Sequence, residues 1–426
     1  MTQRKRVEWA RLDNASKIFP AVRSSKDTKV FRLSCELTED VDEVLLQNAL
    51  DLTMESFPLF RSVLRQGVFW YYLEISDLIP TVEKESNPIC SPIYFGDKRN
   101  LLFRIFYFHN RISIEIFHAL TDGIGALTFL QSLVYEYLLL KHGEEFSGAM
   151  PTLDYRSPVS SKMDDSFEKH FTGIKGPGQS INKQTRKGSE KAYHIKGVKL
   201  DENRTKLIEG SMSVSSLLDL SHKYNTTLTV FLASLLLCSI HEEMALKRRK
   251  YPVVLSVPVD LRHFFRSATS RNFFFTMKVG YHFKNGAYDL NDVIDTVSKA
   301  FTDNLTEEYL RNRLDRLMSL ERNPFIRLIP LPLKDLFLRI ASKIKDGGIS
   351  SSISNLGKIS MPADLEPFIR QFSVCVSAPR PQVTMGSYKD RAVISFTSPF
   401  RETDIQRAFF RFLAKEGIEV EISSND

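Results

Sequence analysis

The spacing of apolar residues in the first part of the chain changes repeatedly between the period of a strand and the period of a helix. Residues Lys29–Leu37 have the composition of a strand, and Val41–Ser56 carry apolar side chains at helical spacing behind Asp40, the expected helix cap. Residues Phe60–Leu64 and Val68–Ile75 predict a hairpin, because a turn-forming Gln-Gly pair separates two strand-like runs. Strands and helices that alternate in this way are typical of an α/β lobe.

A second hairpin has the clearest alternation in the chain. Leu101–Phe108 and Arg111–Phe117 are predicted strands, joined by a tight turn at His109-Asn110. Successive side chains of a strand point to opposite faces. In the second strand the apolar face carries Ile112, Ile114 and Ile116. We therefore expect that face of the sheet to be buried.

A long helix follows the second hairpin, and a polar segment follows the helix. Apolar residues at helical spacing predict a helix from about Ile124 to Lys141, which Gly143 ends. From Pro151 to Ala192 the chain is polar, basic and rich in Ser, Lys and Gly. This composition is typical of a linker that crosses between two lobes.

The remainder of the chain predicts a second α/β lobe. Thr226 or Thr227 is the expected cap of its most apolar helix. The predicted helical segments are Ser213–Tyr224, Leu228–Leu246 and the stretches around Asn291–Leu320. The predicted strands are Val253–Val257, Gly348–Ile353, Phe372–Ser377 and Ala392–Thr397. We therefore predict an N-terminal lobe at residues 1–155, a basic crossover linker at 156–192 and a C-terminal lobe at 193–426.

Composition favours folded domains and disfavours binding to nucleic acid. Hydrophobic residues make up 42% of the 426 residues and charged residues 26%, which is ordinary for a globular protein. The net charge is +7, and the segment Ser161–Leu200 holds nine Lys or Arg against four Asp or Glu. No dense basic face with interleaved aromatic residues accompanies this charge. A DNA- or RNA-binding protein is therefore the weakest alternative, and it would bind with steep salt dependence.

Cysteine spacing and apolar runs indicate the compartment. The four cysteines, Cys35, Cys90, Cys238 and Cys375, are widely spaced, which favours neither a disulfide framework nor a metal site. The first fifteen residues are charged without an apolar run behind them, so they do not resemble a signal peptide. The most apolar stretch, Leu228–Ile240, is too short for a membrane span. We expect a cytoplasmic protein without a membrane span.

The candidate chemistry lies between the strand that ends at Phe117 and the helix that follows it. If the alternation continues, His118 lies on the apolar face, where an imidazole stays neutral and can accept a proton. Asp122 and Gly123 then form a tight turn into the helix. A lone histidine is more often a satisfied core residue, and a lone aspartate here is more often a helix cap. The motif therefore favours a site without establishing one.

His118-Ala-Leu-Thr-Asp122-Gly123 resembles the HxxxDG signature of the acyltransferase superfamily that contains chloramphenicol acetyltransferase, condensation domains, wax ester synthases and alcohol acetyltransferases. Further segments resemble elements of this superfamily in the same order: Arg11-Leu-Asp13, Glu43–Arg65, Ser256–Arg262, Arg271–Phe274 and Ser354–Gly357. The chain looks most similar to free-standing bacterial alcohol acetyltransferases. Condensation domains usually have a second histidine where this chain has Phe117, and the Asp-Phe-Gly-Trp-Gly element of plant BAHD enzymes is absent. These departures argue against peptide-bond synthesis and against plant-type chemistry.

The resemblance implies a fold and a reaction. The fold is two chloramphenicol-acetyltransferase-like subdomains, each a two-layer α/β sandwich, with a substrate tunnel between them. The reaction is transfer of an acyl group from acyl-CoA, as co-substrate, to a small alcohol or amine acceptor. His118 is the general base in a ternary complex without an acyl-enzyme, and neither a metal nor a tightly bound cofactor is required. A monomer is expected, and the alternative is a non-catalytic binding or scaffold module of the same fold.

The resemblance also assigns roles to residues outside the histidine. Asp122 turns away from His118 and pairs with an arginine, for which Arg262 is the candidate, so that the loop at Gly123 keeps its shape. Asn272, Ser354 and Asn355 are candidates for oxyanion or substrate contacts, and Arg271 enters with Asn272. These roles follow from the resemblance alone.

Overall fold

The structure is a computed structural model that describes residues 9–96, 98–145, 153, 158–173, 191–201, 204–283 and 288–425. Within these ranges the strands are, in chain order, β1 (Trp9–Arg11), β2 (Val30–Leu37), β3 (Ser62–Gln66), β4 (Tyr71–Ile75), β5 (Val82–Lys84), β6 (Phe103–Phe108), β7 (Arg111–Phe117), β8 (Lys206–Ser213), β9 (Val253–Asp260), β10 (Phe274–Tyr281), β11 (Ser351–Ile359), β12 (Ile369–Val376), β13 (Gln382–Tyr388), β14 (Arg391–Ser398) and β15 (Glu421–Ser424). The α-helices are α1 (Ile18–Val22), α2 (Glu43–Ser56), α3 (Gly123–His142), α4 (Val159–Met163), α5 (Ser166–His170), α6 (Val214–Lys223), α7 (Leu228–Glu242), α8 (Leu290–Asn304), α9 (Glu307–Arg322), α10 (Pro324–Arg327), α11 (Leu331–Asp346) and α12 (Asp404–Lys415). This mixture of strands and helices confirms the predicted fold class.

The first lobe is built on a five-stranded sheet in the order β12-β2-β7-β6-β5. Ile112, Ile114 and Ile116 of β7 are fully buried, as the alternation of β7 predicts. The helices α2 and α3 contribute Leu46, Leu130 and other apolar residues to the same core. Burial of this apolar surface fixes the register of β7, because a slip of one residue would turn its isoleucines to the other face. The end of β7 is therefore a rigid base for the residue that follows it.

The edge strand of the first sheet comes from the far end of the chain. β12 pairs antiparallel with β2, and Phe372 lies opposite Cys35. The strands before and after β12 belong to the second sheet, so the chain crosses to the first lobe and returns. The division at 1–155 and 193–426 remains a prediction, and this strand crosses it.

The second lobe is built on a seven-stranded sheet in the order β10-β9-β11-β13-β14-β8-β15. β11 is parallel to both β9 and β13, and the other pairs are antiparallel. The apolar helix α7 packs in its core with α8 and α12, and Phe231, Leu255 and Phe409 are buried there. Two sandwich-like lobes are thus present, each with its own core.

Part of the predicted linker packs against the second lobe. Residues 156–157 and 174–190 of that segment lie outside the described residues. The described residues 158–173 form α4 and α5. Phe167 of α5 is fully buried in a cluster with Phe273 and Leu314. This part of the chain is therefore tied to the segment that carries Arg271 and Asn272.

Several predicted boundaries were wrong. The cap of α2 is Asp42, whose side chain accepts a hydrogen bond from the N–H of Leu45, and not Asp40. The helix after Thr227 ends at Glu242 rather than at Leu246, and the stretch around 291–320 is two helices. The elements that were not predicted include α1, α4, α5, α10, α11, α12, β5, β8, β10, β13 and β15. β8 pairs with β14 and β15, which lie far along the chain, and a strand with distant partners carries a weak local signal.

Among the described residues, the helix that runs through 123–145 is long and apolar enough to cross a membrane. Most of its apolar window, 61%, is buried inside the protein, where α3 contributes Phe129, Leu133 and Tyr137 to the first core. α6 and α7 pass the same test only as a pair bent by 78°. Core helices have these properties as well.

Candidate functional site

The imidazole of His118 lies where the two lobes meet. The N–H of His118 donates a hydrogen bond of 2.8 Å to the carbonyl of Lys29, which continues the pairing of β7 with β2 by one residue. Phe19 of α1 stacks on the imidazole with a centroid distance of 4.3 Å and an interplanar angle of 12°. Phe31 of β2 and Phe274 of β10 lie 4.9 and 5.6 Å away. The ring is thus enclosed by phenylalanines of both lobes.

This enclosure favours the neutral imidazole. The side chain of His118 keeps partial access to solvent. Burial lowers the pKa of His118 from its usual value, and Asp122 and the hydrogen bond with Asn272 offset the effect only in part. The ring is therefore unprotonated at neutral pH and can act as a base.

Asn272 sets the tautomer of His118. The amide nitrogen Nδ2 of Asn272 lies 3.0 Å from the backbone carbonyl oxygen of His118, and a carbonyl oxygen can only accept. The amide is therefore oriented with Oδ1 towards the imidazole, where it lies 3.1 Å from Nδ1. Since Oδ1 also accepts only, Nδ1 must carry the proton, which leaves Nε2 as the basic atom.

The hydrogen-bond chain continues from Asn272 to a buried aspartate. Nδ2 of Asn272 donates to Oγ of Ser16 at 2.8 Å, and Oγ of Ser16 donates to Oδ1 of Asp13 at 2.7 Å. Burial raises the pKa of Asp13 to about 6, while the Arg271 guanidinium 3.8 Å away opposes the rise. Each member of the chain donates in one direction. Asn272 is therefore held in the orientation that His118 requires.

Asp122 joins the histidine loop to the second lobe and does not orient the imidazole. Its carboxylate accepts two hydrogen bonds from Arg262, at 2.9 Å to Oδ2 and 3.1 Å to Oδ1. The N–H groups of Gly125 and Phe273 donate to it at 3.0 and 2.8 Å. The structure thus contains the expected pair with Arg262. It also contains the helix cap, because one carboxylate has enough acceptor positions for both.

Arg262 in turn holds the backbone of the second lobe. It donates to Asp260 at 2.8 Å and to the carbonyls of Thr269 and Arg271 at 3.1 and 2.7 Å. Planar, five-donor guanidinium groups suit such shared contacts. One buried arginine therefore connects the histidine loop with the segment that carries Asn272.

The N-terminus of α3 approaches this segment very closely. A side-chain carbon added at Gly125 would lie inside van der Waals distance of the Ser270 carbonyl oxygen and the Thr121 hydroxyl. Oγ1 of Thr121 also donates to the Ser270 carbonyl. Only glycine fits at this position. The close approach positions His118 relative to the second lobe.

The other residues predicted from the sequence lie in different places. An added carbon at Gly123 would lie 2.9 Å from Cδ2 of Leu356, so the Ser354–Gly357 segment reaches the histidine loop through its leucine. Ser354 lies on β11, and the exposed Asn355 donates to Thr229 at 3.0 Å.

Asn272 does not fit the predicted oxyanion role. Its amide has two N–H bonds, and they are directed at Ser16 and at the His118 carbonyl. A donor for an oxyanion needs a free N–H or O–H. The contacts of Asn272 are instead with the imidazole and the backbone carbonyl of His118 and with Ser16.

One cavity is lined by none of the residues that surround His118. It has a volume of about 310 Å³ and lies between α7 and α12, where Glu242, Arg407 and Lys415 line it.

Within the described residues, no group of three or more His, Cys, Asp or Glu could hold a metal ion. The four cysteines are free and buried. The tunnel between the lobes stays a prediction.

Phe19, Phe31, Phe274, Ser16 and Asp13 were missed as site residues. Arg11-Leu-Asp13 was noted only as a segment of the resemblance, and Phe274 only as the end of Arg271–Phe274. The spacing of Asp13 and Ser16 fits a local turn, because an aspartate often accepts from the residues that follow it. That turn is a local signal, but its contact with Asn272 is not.

Comparisons with known proteins give the fold. No family model matches the chain, and no curated protein matches its sequence. The trichothecene 15-O-acetyltransferase TRI3 of Fusarium sporotrichioides is similar in structure, with 10% identity, a TM-score of 0.65, and coverage of 97% of this chain and 95% of that one. TRI101 of F. graminearum, solved with coenzyme A and T-2 mycotoxin, gives 10% identity, a TM-score of 0.65, and coverage of 97% and 99%. The first condensation domain of the CDA synthetase gives 13% identity, a TM-score of 0.59, and coverage of 95% of both chains.

At such low identities these likenesses establish the fold. The chain has the two-lobed, chloramphenicol-acetyltransferase-like fold that these acetyltransferases and condensation domains share. The fold extends over nearly the whole chain. Function has to be argued from the site itself.

Proposed function

We propose that this protein transfers an acyl group from the thioester of acyl-CoA to the hydroxyl or amine of a small acceptor, with Nε2 of His118 as the general base. The observation that carries the proposal is the hydrogen bond from Nδ1 of His118 to Oδ1 of Asn272. It fixes the proton on Nδ1 and leaves Nε2 free to accept one.

In the proposed reaction, Nε2 of His118 takes the proton of the acceptor as the acceptor oxygen or nitrogen attacks the thioester carbonyl carbon. The carbonyl becomes a tetrahedral oxyanion. This intermediate collapses, the carbon–sulfur bond breaks, and the departing thiolate takes the proton back from Nε2. The ester or amide and the free thiol are the products, and no acyl-enzyme forms.

The surroundings of His118 suit both protonation states of this cycle. Before the reaction, burial among three phenylalanines keeps the imidazole neutral. During the reaction the imidazolium is stabilised by the faces of these rings and by its Nδ1–H bond to Asn272. The carboxylate of Asp122 is already bound by Arg262, so in our proposal it shapes the loop and takes no part in proton transfer.

The donor and acceptor classes rest on the shared fold. TRI101 was solved with coenzyme A and T-2 mycotoxin, and TRI3 is a 15-O-acetyltransferase. We extend to this chain a CoA thioester as co-substrate, without a tightly bound cofactor, and a small alcohol or amine acceptor. Ser354 and Asn355 remain the candidates for oxyanion contact. The proposal also includes a monomeric state and a cytoplasmic location. It includes as well the resemblance to free-standing bacterial alcohol acetyltransferases.

A thiol-release assay tests the proposal. Purified protein is incubated with acetyl-CoA and with longer acyl-CoAs against a panel of alcohols and amines. We expect thiol release that His118→Ala abolishes. His222→Ala, which changes an exposed histidine on α6, is the matched control and should retain the activity of the unchanged protein.

The opposite result has a clear meaning. If no donor and acceptor pair gives His118-dependent thiol release, and CoA does not raise the thermal midpoint, the proposed reaction is wrong. The non-catalytic binding or scaffold module then becomes the better interpretation.

A further inference from the structure

The helix α11 exposes the apolar face that a helix of a globular protein usually buries. Leu333, Leu336, Phe337, Ile340 and Ile344 form one helical stripe, and their exposed fractions are 49%, 50%, 61%, 48% and 67%. The buried side of the helix carries Leu331 and Asp335 instead. A stripe of this size facing solvent indicates a binding surface.

Two neighbouring segments extend this surface. Lys334 joins them to α11, because its ammonium donates to the Phe69 carbonyl at 2.9 Å and to the Arg327 carbonyl at 3.1 Å. In the segment around Arg327, Phe325 is 82% exposed. We call the whole set the apolar platform: Val68, Trp70, Phe325, Leu328, Leu333, Leu336, Phe337, Ile340 and Ile344.

Positive charge surrounds the apolar platform. Residues 320–346 contain six Lys or Arg and three acidic residues, a net charge of +3 in a chain whose total is +7. All three acidic residues are engaged. Glu321 pairs with Lys17, Asp346 lies 3.6 Å from Arg380, and the buried Asp335 accepts a hydrogen bond of 2.7 Å from Tyr71. The electrostatic potential at this face is therefore positive.

We propose that the apolar platform docks onto the surface of an anionic phospholipid bilayer, with α11 lying in the plane of the interface. Helices that lie in this way combine an apolar face of Leu, Ile, Phe and Trp with flanking Lys and Arg. The apolar side chains enter the acyl boundary, and each nearby cation gains attraction to the anionic headgroups. The protein binds the surface and does not span it.

Charge also decides between a bilayer and a second copy of this chain. Two platforms placed face to face would bring their cations together, which opposes association. An anionic headgroup layer has the opposite sign and needs no matching register. The bilayer is therefore the complementary occupant.

The apolar platform is close to the site in the fold. α11 packs against α1, where Nε of Arg339 donates to the Ala21 carbonyl at 2.6 Å. The same short helix carries Phe19, which stacks on His118. If the proposed function holds, a bilayer-bound enzyme meets apolar acceptors or acyl chains on the side of α1. The docking itself does not depend on the reaction.

Vesicle binding tests the docking with the full-length chain. We expect co-flotation with phosphatidylcholine vesicles that contain phosphatidylserine, and weaker co-flotation with phosphatidylcholine alone. The chain has two tryptophans, and both Trp9 and Trp70 are exposed on the β1-β4-β3 sheet and the turn beside α11. Trp70 belongs to the apolar platform, so the fluorescence emission should shift to shorter wavelength on addition of the anionic vesicles, because the surroundings of Trp70 become less polar.

Substitutions locate the binding surface. The triple variant Leu336→Ser, Phe337→Ser and Ile340→Ser should weaken vesicle binding by at least about tenfold. Lys343→Glu should weaken it by about fivefold or more on anionic vesicles.

The control is Val44→Ser, Ile79→Ser and Leu246→Ser, three apolar residues elsewhere on the surface that are more exposed than the three substituted platform residues, and it should change little. Thiol release from soluble substrates should stay unchanged in the platform variant, which separates this test from that of the reaction.

Two results would overturn the inference. One is that the protein neither floats with either kind of vesicle nor shows the fluorescence shift, or that the control variant loses as much vesicle binding as the platform variant. The other is a dimer in the absence of lipid that the triple variant dissociates, since the occupant would then be a second copy.

Discussion

Nδ1 of His118 and Oδ1 of Asn272 lie 3.1 Å apart, although 154 positions separate the two residues in the sequence. His118 follows β7 of the first sheet, and Asn272 precedes β10 of the second. The proposed base and the residue that fixes its tautomer therefore belong to different lobes. Any change in the docking of the lobes would change the base as well.

Replacement of Asn272 should affect the rate more than substrate binding. In Asn272→Ala the Nδ1–H loses its acceptor and both tautomers become available, so kcat should fall by about 10- to 100-fold. Loss of this hydrogen bond should also move the acid limb of the pH–rate profile to lower pH, because the bond raises the pKa of His118. Steady-state kinetics between pH 5 and 8 measure both effects. Asn291→Ala, which removes an exposed amide on α8, is the control.

An Asn272 variant that lowers kcat without moving the pH profile would leave only a structural role for the residue. An unchanged kcat would contradict the tautomer argument outright.

The pH dependence of the reaction should report a neutral base. Burial lowers the pKa of His118, so the neutral form persists at neutral pH and is lost as the pH falls through that lowered pKa. We expect kcat/KM to be flat near pH 7 and to fall with one proton at a pH below the usual histidine value of about 6.5. A fall centred above that value would contradict the desolvated imidazole.

Loss of Asp122 should destabilise the fold as well as the activity. Asp122→Ala removes one of the two carboxylates that pair with the largely buried Arg262 and leaves the N–H groups of Gly125 and Phe273 without their acceptor, so it should cost about 3–5 kcal/mol in unfolding free energy. Removal of both residues should cost less than the sum of the single changes, because each single change already breaks the ion pair between them. Urea denaturation of the two single variants and the double variant measures this.

The exposed pair of Asp201 and Arg401 is the comparison, and Asp201→Ala should cost less than about 1 kcal/mol. Normal stability with no activity in Asp122→Ala would contradict the architectural role.

A methyl group at Gly125 should disturb the contact between the lobes. In Gly125→Ala the new carbon would collide with the Ser270 carbonyl, which is backbone and cannot move alone. We expect a loss of about 1–3 kcal/mol of stability and a marked fall in kcat. Gly143→Ala is the matched control, because nothing lies within 4 Å of the added carbon. Equal thermal midpoints and rates for the two variants would show that the approach at Gly125 is not required.

Local sequence patterns determined the elements around the histidine. The alternation of Ile112, Ile114 and Ile116 placed β7 and its buried face, and apolar residues at helical spacing placed α3. Asp122 was predicted both as a helix cap and as a partner of Arg262, and both hold because its carboxylate accepts four hydrogen bonds. These features depend on neighbours in the chain or on a motif, which a sequence carries directly.

The tertiary structure decided the features that depend on distant segments. The exchange of β12 into the first sheet, the chain from Asp13 through Ser16 to Asn272, and the exposed face of α11 had no local signal. Apolar spacing tells which side of an element avoids water, but not what that side meets. The apolar side of β7 packs in the core of the first lobe, whereas the apolar side of α11 is exposed on the surface. Only the packing of all elements fixes which surfaces remain uncovered.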